Sequence, residues 1–364
     1  MMTTMVIRNE APAQMAIHPG SILKEELKER GISQKNFAKK IEMQPSHLNE
    51  IIKGKRSITK QVADKFEEVL GIPSIDWVKL QMVYDYDTQQ NEERQVVETA
   101  AYEEYQEYLK VFDIKTLTSR LGFSSHLYSE VVAFIRQTFK LPEPAKLVVQ
   151  TNGLFKKSSK VGKDPRMIMT WMLLAKQFAF SRKIDSIYDE NRIDELIPQI
   201  SQILNDNHNT IEKLTKKFDE FGIIFGVVKK VEGASIDGYS FDYQNRPCIV
   251  VTTRYDKIDN LAFAVMHELG HIKNHDNEFC RVNLEDYDHE SPEEKAANAF
   301  AANALIPDAI WKKIPEVQLY PAQIQRLYTA WAEQNGYNKW IALGRISHET
   351  GMFKFKNDSS RRIL

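Results

Sequence analysis

The chain has 364 residues, of which 42% are hydrophobic and 27% charged, with a formal net charge of -1. This composition fits a globular chain of two or three domains, excludes fibrous and low-complexity classes, and carries no whole-chain signal for nucleic acid. The longest apolar stretch, residues 167–180, is too short to span a bilayer and contains Lys176, and residues 1–15 lack the apolar core of a secretion signal. Cys248 and Cys280 make no metal or redox pair by spacing, which fits a reducing, cytoplasmic setting with no membrane partner.

Residues 1–16 read as a flexible tail, and 17–90 as a module of short helices. The first helix runs from Ser21 to Arg30, with Ile22, Leu23 and Leu27 on one face and Gly31 closing it. Ser33 caps a second, SQKNFAKKI; a third, PSHLNEIIKG, ends at Gly54. A fourth is expected from about Thr59 to Leu70 and a fifth from about Ser74 to Tyr86. Two short helices joined by a tight turn, the second rich in Ser, His and Asn, make a helix-turn-helix signature.

Local charge agrees with that signature. Between Ser33 and Lys60, seven basic residues stand against two acids, Glu42 and Glu50, a phosphate-binding footprint. Gln44, Ser46, His47 and Asn49 open the recognition helix and are candidates for reading base edges. Gln34, Lys53, Lys55 and Arg56 are candidates for phosphate. The run IHPGSILKEELKERGISQKNFAKKI, followed by LNEIIKGKRSIT and LGIPSIDWVKLQ, resembles the HigA-type antitoxins of the XRE family. That resemblance implies a homodimeric repressor on a double-stranded DNA operator. In one respect the sequence departs from the family pattern: Glu42 stands at the usual turn glycine, and Gln44 at the usual Ser or Thr cap.

Residues 91–205 read as a helical central region. Between Asp85 and Glu107 there are eight acids and one base, Arg94, the composition of a solvated helical linker. A mimic of DNA, or an arm folding back on the basic module, is the sharper alternative. A helical stretch from Ile114 to about Leu204 follows, interrupted by the basic loop Lys156 to Lys163.

Residues 206–364 carry the chemistry. Ile223 to Val228 and Cys248 to Thr252 are β-branched and apolar, with a weakly alternating stretch, Ala234 to Tyr243, between them. They predict a small antiparallel sheet, so the chain is mostly α with a small sheet, an α+β class. An edge strand of such a sheet could take an extended peptide by strand addition. Next comes a dense apolar helix, with Asp259 as its expected N-cap, containing HELGH from His267 to His271. Residues four apart share one helix face, so His267 and His271 can aim at one ion while Glu268 serves as general base for a water in the open position. His275 is excluded as third ligand, because eight residues of helix rise roughly 12 Å. Asn274 and Asn277 occupy the positions of the longer three-histidine signature. The next helix, from Pro292 to Pro307, is rich in alanine and has Glu293 and Glu294 in its first turn, and one of the two should bind the metal.

HELGH followed by Glu294, Asn298, Phe300, Ala301, Leu305, Ile306 and Pro307 resembles the ImmA/IrrE family of bacterial metallopeptidases. The resemblance implies a zincin-like domain over roughly the last 190 residues, with Zn2+ on His267, His271 and Glu294. Tyr255, His289 and His348 are candidates for an oxyanion or substrate contact by their chemistry. Structural ion pairing is the favoured role for Arg254, Tyr255 and Asp256, which close the last strand. Taken together, the residues read as a DNA-binding transcriptional regulator fused to a zinc endopeptidase that cuts a regulatory protein partner. One alternative is a HigA-like antitoxin and autorepressor whose peptidase-like domain binds a toxin, or senses a signal, without proteolysis. A repressor gated by a ligand or single-stranded DNA is another.

Overall fold

The computed structural model describes residues 15–142, 144, 164–252, 256–274, 292–314, 320–352 and 354–363. The chain divides into two compact units, one ending at Glu103 and the other beginning at Glu104.

The first unit is helical: α1 (Pro19–Glu29), α2 (Gln34–Lys40), α3 (Pro45–Ile52), α4 (Lys60–Leu70) and α5 (Ser74–Leu109), whose last residues belong to the second unit. Polar side chains set the starts of the helices. His18 Nδ1 accepts from Gly20 N, Ser33 Oγ from Asn36 N, and Thr59 Oγ1 from Val62 N, each pairing an N–H that the helix itself leaves unsatisfied. Leu23, Leu27, Phe37, Leu48, Ile51, Phe66 and Trp77 form the core. Burying an aromatic or aliphatic chain of this size stabilises by about 1.5–3 kcal/mol. Two expectations change. Ile22 stays exposed, because only Leu23 and Leu27 of that helix face the core. The fifth helix does not stop near Tyr86 but continues through the acidic stretch to Leu109, since nothing between them breaks a helix.

The second unit opens with α6 (Ile114–Arg120), α7 (Tyr128–Phe139), α8 (Pro165–Ser181), α9 (Ile193–Asp206) and α10 (Thr210–Glu220). Three strands follow: β1 (Ile224–Val227), β2 (Gly238–Tyr243) and β3 (Arg246–Val251). Then come α11 (Ile258–Lys273), α12 (Pro292–Leu305), α13 (Asp308–Trp311), α14 (Pro321–Asn335) and α15 (Lys339–Thr350). The α+β class stands, but the sheet is mixed rather than antiparallel. Its order is β1-β3-β2, with β2 and β3 antiparallel and β1 parallel to β3. β1 pairs with the second arm of the hairpin, not the first, so the chain passes over β3's position before filling it.

Register fixes which residues meet α11. Ser240 lies opposite Ile249 and Gly238 opposite Val251, and Ile249 and Val251 belong to the core that also contains Leu261, Val265 and Leu269 of α11. Paired residues share a face, so Gly238 and Ser240 face that helix too. Asp259 is not the N-cap of α11. Lys257 holds that position without a side-chain cap, and Asp259 sits in the first turn, where its carboxylate receives Arg361 at 2.6 and 3.0 Å. At Gly270 a Cβ would fall 2.8 Å from Phe300 Cδ1 and 3.4 Å from Ala297 Cα. The bare backbone there is what lets α12 lie against α11.

Candidate functional site

α11 and α12 bring three donor residues to one point. His267 and His271 are 1% and 2% exposed. Their Nε2 atoms are 3.0 Å apart, and Glu294 places Oε2 3.2 Å from His267 Nε2 and Oε1 3.5 Å from His271 Nε2. Among the described residues this is the group of donor atoms arranged to hold a metal ion. The four-residue spacing sets the histidines one above the other on α11, and the close approach at Gly270 sets the distance to Glu294.

The donor set fits zinc. Two ligand atoms about 2.1 Å from one ion at a tetrahedral angle lie roughly 3.4 Å apart, close to the three separations here. A pair of imidazoles with a carboxylate is a zinc-type ligand set with one position left open. On the far ring nitrogen, His267 Nδ1–H donates to Asn298 Oδ1 at 2.9 Å, which orients the ring and leaves Nε2 as the donor toward the site.

Glu268 is also 1% exposed. Its Oε2 accepts from Ser240 Oγ at 2.6 Å, and its Oε1 is buried with no hydrogen-bond partner among the described residues. Burial pushes the Glu268 carboxyl up to about 7, against the pull of His267 and Ser240, the range useful for moving protons near neutrality. Burial lowers His267, but its hydrogen bond to Glu294, with the nearby carboxylates, outweighs that and raises it. Ser240 and Gly238 were not singled out by the sequence. The available signal was their i, i+2 placement as small residues in a strand whose other face carries Tyr239, Phe241 and Tyr243.

The remaining candidates divide. Tyr255 and His289 lie outside the described residues, as do Arg254, His275, Cys280 and the basic loop 156–163. His348, on α15, stacks on Phe263 with centroids 5.7 Å apart, and Phe263 in turn lies 6.0 Å from the His267 ring. The Phe263 ring thus lies beside both His348 and His267.

In the first unit, Gln34, Gln44, Ser46, His47, Asn49, Lys53, Lys55 and Arg56 are all exposed. Leu48 and Ile51 turn inward, so α3 presents its polar side outward. Arg56 lies 3.7 Å from Glu50, a loose surface pair. The departures at the turn have visible consequences. Glu42 takes a left-handed conformation with φ 49, and Gln44 caps α3 without a side-chain hydrogen bond. Among the described residues, no helix is long and apolar enough to cross a membrane.

Comparison with known proteins separates the same two parts. Residues 23–77 match the family model described as Helix-turn-helix, and residues 224–337 match a peptidase-family model described as IrrE N-terminal-like domain. Virulence-associated protein I of Dichelobacter nodosus is 40% identical over 79 residues, spanning 21% of this chain and 70% of that protein. The uncharacterized HTH-type transcriptional regulator YddM of Escherichia coli is 36% identical over 70 residues, 19% of this chain and 74% of its own. Among solved structures, an addiction module antidote protein of a HigA family from Coxiella burnetii shares 30% identity, covers 24% of this chain and 95% of its own, and has a TM-score of 0.22. The chain belongs to the XRE-type helix-turn-helix family of DNA-binding regulators, with an IrrE/ImmA-like domain of the peptidase family fused behind that module.

Proposed function

We propose that this regulator is also a zinc-dependent endopeptidase that hydrolyses a peptide bond in a regulatory protein partner. The observation that carries the reading is the convergence of His267, His271 and Glu294 beside a buried oxygen of Glu268 that has no hydrogen-bond partner among the described residues. Zn2+ held by those three residues would supply Lewis-acid polarisation of the scissile carbonyl and a water made more acidic. Glu268 Oε1 takes the proton from the attacking water and returns it to the leaving amine nitrogen. Asn298 keeps His267 in the required tautomer. The edge strand β2, which carries Ser240 beside Glu268, is the place for an extended substrate segment to add as a further strand. Tyr255, His289 and His348 remain proposed contacts for the developing oxyanion or the substrate.

The helix-turn-helix module sets α3 in the major groove of an operator as one half of a homodimer. Gln44, Ser46, His47 and Asn49 meet base edges, while Gln34, Lys53, Lys55 and Arg56 meet phosphates. Such a protein works in the cytoplasm, and its cut is a regulatory event, with a repressor or a cognate toxin as the substrate class. The test is incubation of the zinc-loaded protein with the protein encoded beside it, wild type against Glu268→Gln. Wild type should generate a new N-terminus in that partner and Glu268→Gln should not. Equal behaviour of the two, with repression and toxin neutralisation intact in both, would establish the non-proteolytic antitoxin instead.

A further inference from the structure

The fold treats the two oxygens of Glu268 differently. Oε2 receives the Ser240 hydroxyl at 2.6 Å, in a pair whose residues are 2% and 1% exposed. Oε1 is buried with no hydrogen-bond partner among the described residues. A buried oxygen kept without a partner lowers stability, and its retention points to a use. Gly238 lies two residues before Ser240 on the same face of β2, at the spot where a Cβ would fall 2.7 Å from Oε1 and 2.8 Å from Cγ of Glu268. The carboxylate thus rests against bare backbone on one side and is tied to a hydroxyl on the other. A free glutamate on a helix has several staggered rotamers, and these two contacts select one.

We infer that β2 is the positioning element for the general base. Ser240 engages Oε2 so that Oε1 is the oxygen presented to the reaction, and Gly238 keeps open the space that Oε1 occupies. This rests on the metallopeptidase reading above and names the residues that make its base competent. In hydrolysis an O–H bond of water breaks, its oxygen bonds to the scissile carbonyl carbon, and its proton passes to Oε1. As the C–N bond breaks, that proton goes to the amine nitrogen. Ser240 neither gains nor loses a proton and remains the donor to Oε2 throughout, so it is a positioning residue and not a catalytic one. Holding a base in one productive geometry is a rate effect distinct from holding the metal.

The test uses the zinc-loaded, full-length protein and acetohydroxamic acid, a small chelator that gives up its hydroxyl proton when it binds a metal and needs a neighbouring acceptor for it. Zinc affinity is measured separately by competition with a chromophoric chelator. Ser240→Ala should hold zinc like wild type but bind acetohydroxamic acid about tenfold more weakly. Ser240→Thr, which keeps the hydroxyl, should stay within about threefold of wild type. Gly238→Ala should weaken the hydroxamate while leaving zinc in place. In a Glu268→Gln background, Ser240→Ala should add no further loss, because its effect passes through Glu268. That cycle decides the matter alone if Ser240→Thr does not fold. Hydroxamate binding by Ser240→Ala that equals or exceeds wild type overturns the inference, as do losses in Ser240→Ala and Glu268→Gln that multiply independently. A wild-type protein that takes up no zinc overturns the functional reading itself, a distinct outcome.

Discussion

His267 donates its Nδ1–H to the side-chain oxygen of Asn298 at 2.9 Å, so Nε2 is the ring nitrogen left facing His271 and Glu294. Asn298 is one helical turn beyond Glu294 on α12, so in the proposed zinc site a single helix would supply both a ligand and the group that orients another ligand. Replacing Asn298 with Ala should weaken zinc binding by about 10–100-fold, the usual effect of removing such a partner. Chelator competition reads this, and the circular dichroism spectrum should not change. Zinc affinity equal to wild type would remove Asn298 from the site.

Glu42 gives a second prediction. A residue with a Cβ at φ 49 stands roughly 1–2 kcal/mol above its right-handed alternative. Here the Glu42 carbonyl accepts from Lys65 Nζ at 3.3 Å, which helps to hold the turn. Glu42→Gly should raise the stability of the helix-turn-helix module by about 0.5–1 kcal/mol, measured by urea unfolding, with operator affinity unchanged. A destabilised variant would mean that the side chain, and not the turn, is what matters there.

The sequence showed most where a short-range rule suffices. The i, i+4 histidines, the acids opening α12 and the cap Ser33 are local patterns, and each stands where it was expected. What needed tertiary information stayed hidden. β1 has only four residues and no turn linking it to its partner, so nothing local distinguishes a parallel from an antiparallel neighbour. Asp259 has the chemistry of a cap, but Arg361, far along the chain, claims its carboxylate. Ser240 matters because the register of β2 on β3 aims it at Glu268, and register is a property of the sheet, not of the strand.

Arg345 fastens the C-terminal end of α12. It donates to the carbonyls of Ala302 and Ile306 at the end of α12, pairs with Asp308 at 2.6 Å and Glu349 at 2.9 Å, and lies over the Trp311 ring. The Arg345 side chain is 12% exposed, so Arg345→Ala leaves the Ala302 and Ile306 carbonyls without this donor and should cost about 1–3 kcal/mol, whereas Asp308 and Glu349 stay nearly half exposed to water. The gap should depend on pH. Arg345 holds the Asp308 carboxyl below its ordinary range, so that share of the stabilisation is fully present above the unfolded aspartate pKa, about 3.9. It is lost as the pH falls through the lower folded value. The difference between wild type and Arg345→Ala in thermal midpoint should therefore narrow in acid. A gap that widens below that pH would contradict the assignment.

For the DNA module, Lys55 and Arg56 are exposed near the end of the recognition helix. Replacing both with Ala should weaken operator binding and make the dependence on salt shallower, by about 0.9 in the logarithmic slope for each phosphate no longer neutralised. The weakening should be similar across operator variants, because groups that touch only phosphate carry no sequence information. Binding and slope that match wild type would remove both residues from the interface.

The most direct test of the metallopeptidase account is the zinc content of three purified proteins, dialysed side by side and measured by elemental analysis. One zinc per chain is expected in wild type and in Glu268→Gln, because Glu268 is proposed as the base and not as a ligand. Glu294→Ala should retain little, because it lacks one of three protein ligands. A wild type without zinc, or a Glu294→Ala variant that holds zinc as tightly as wild type, would contradict it.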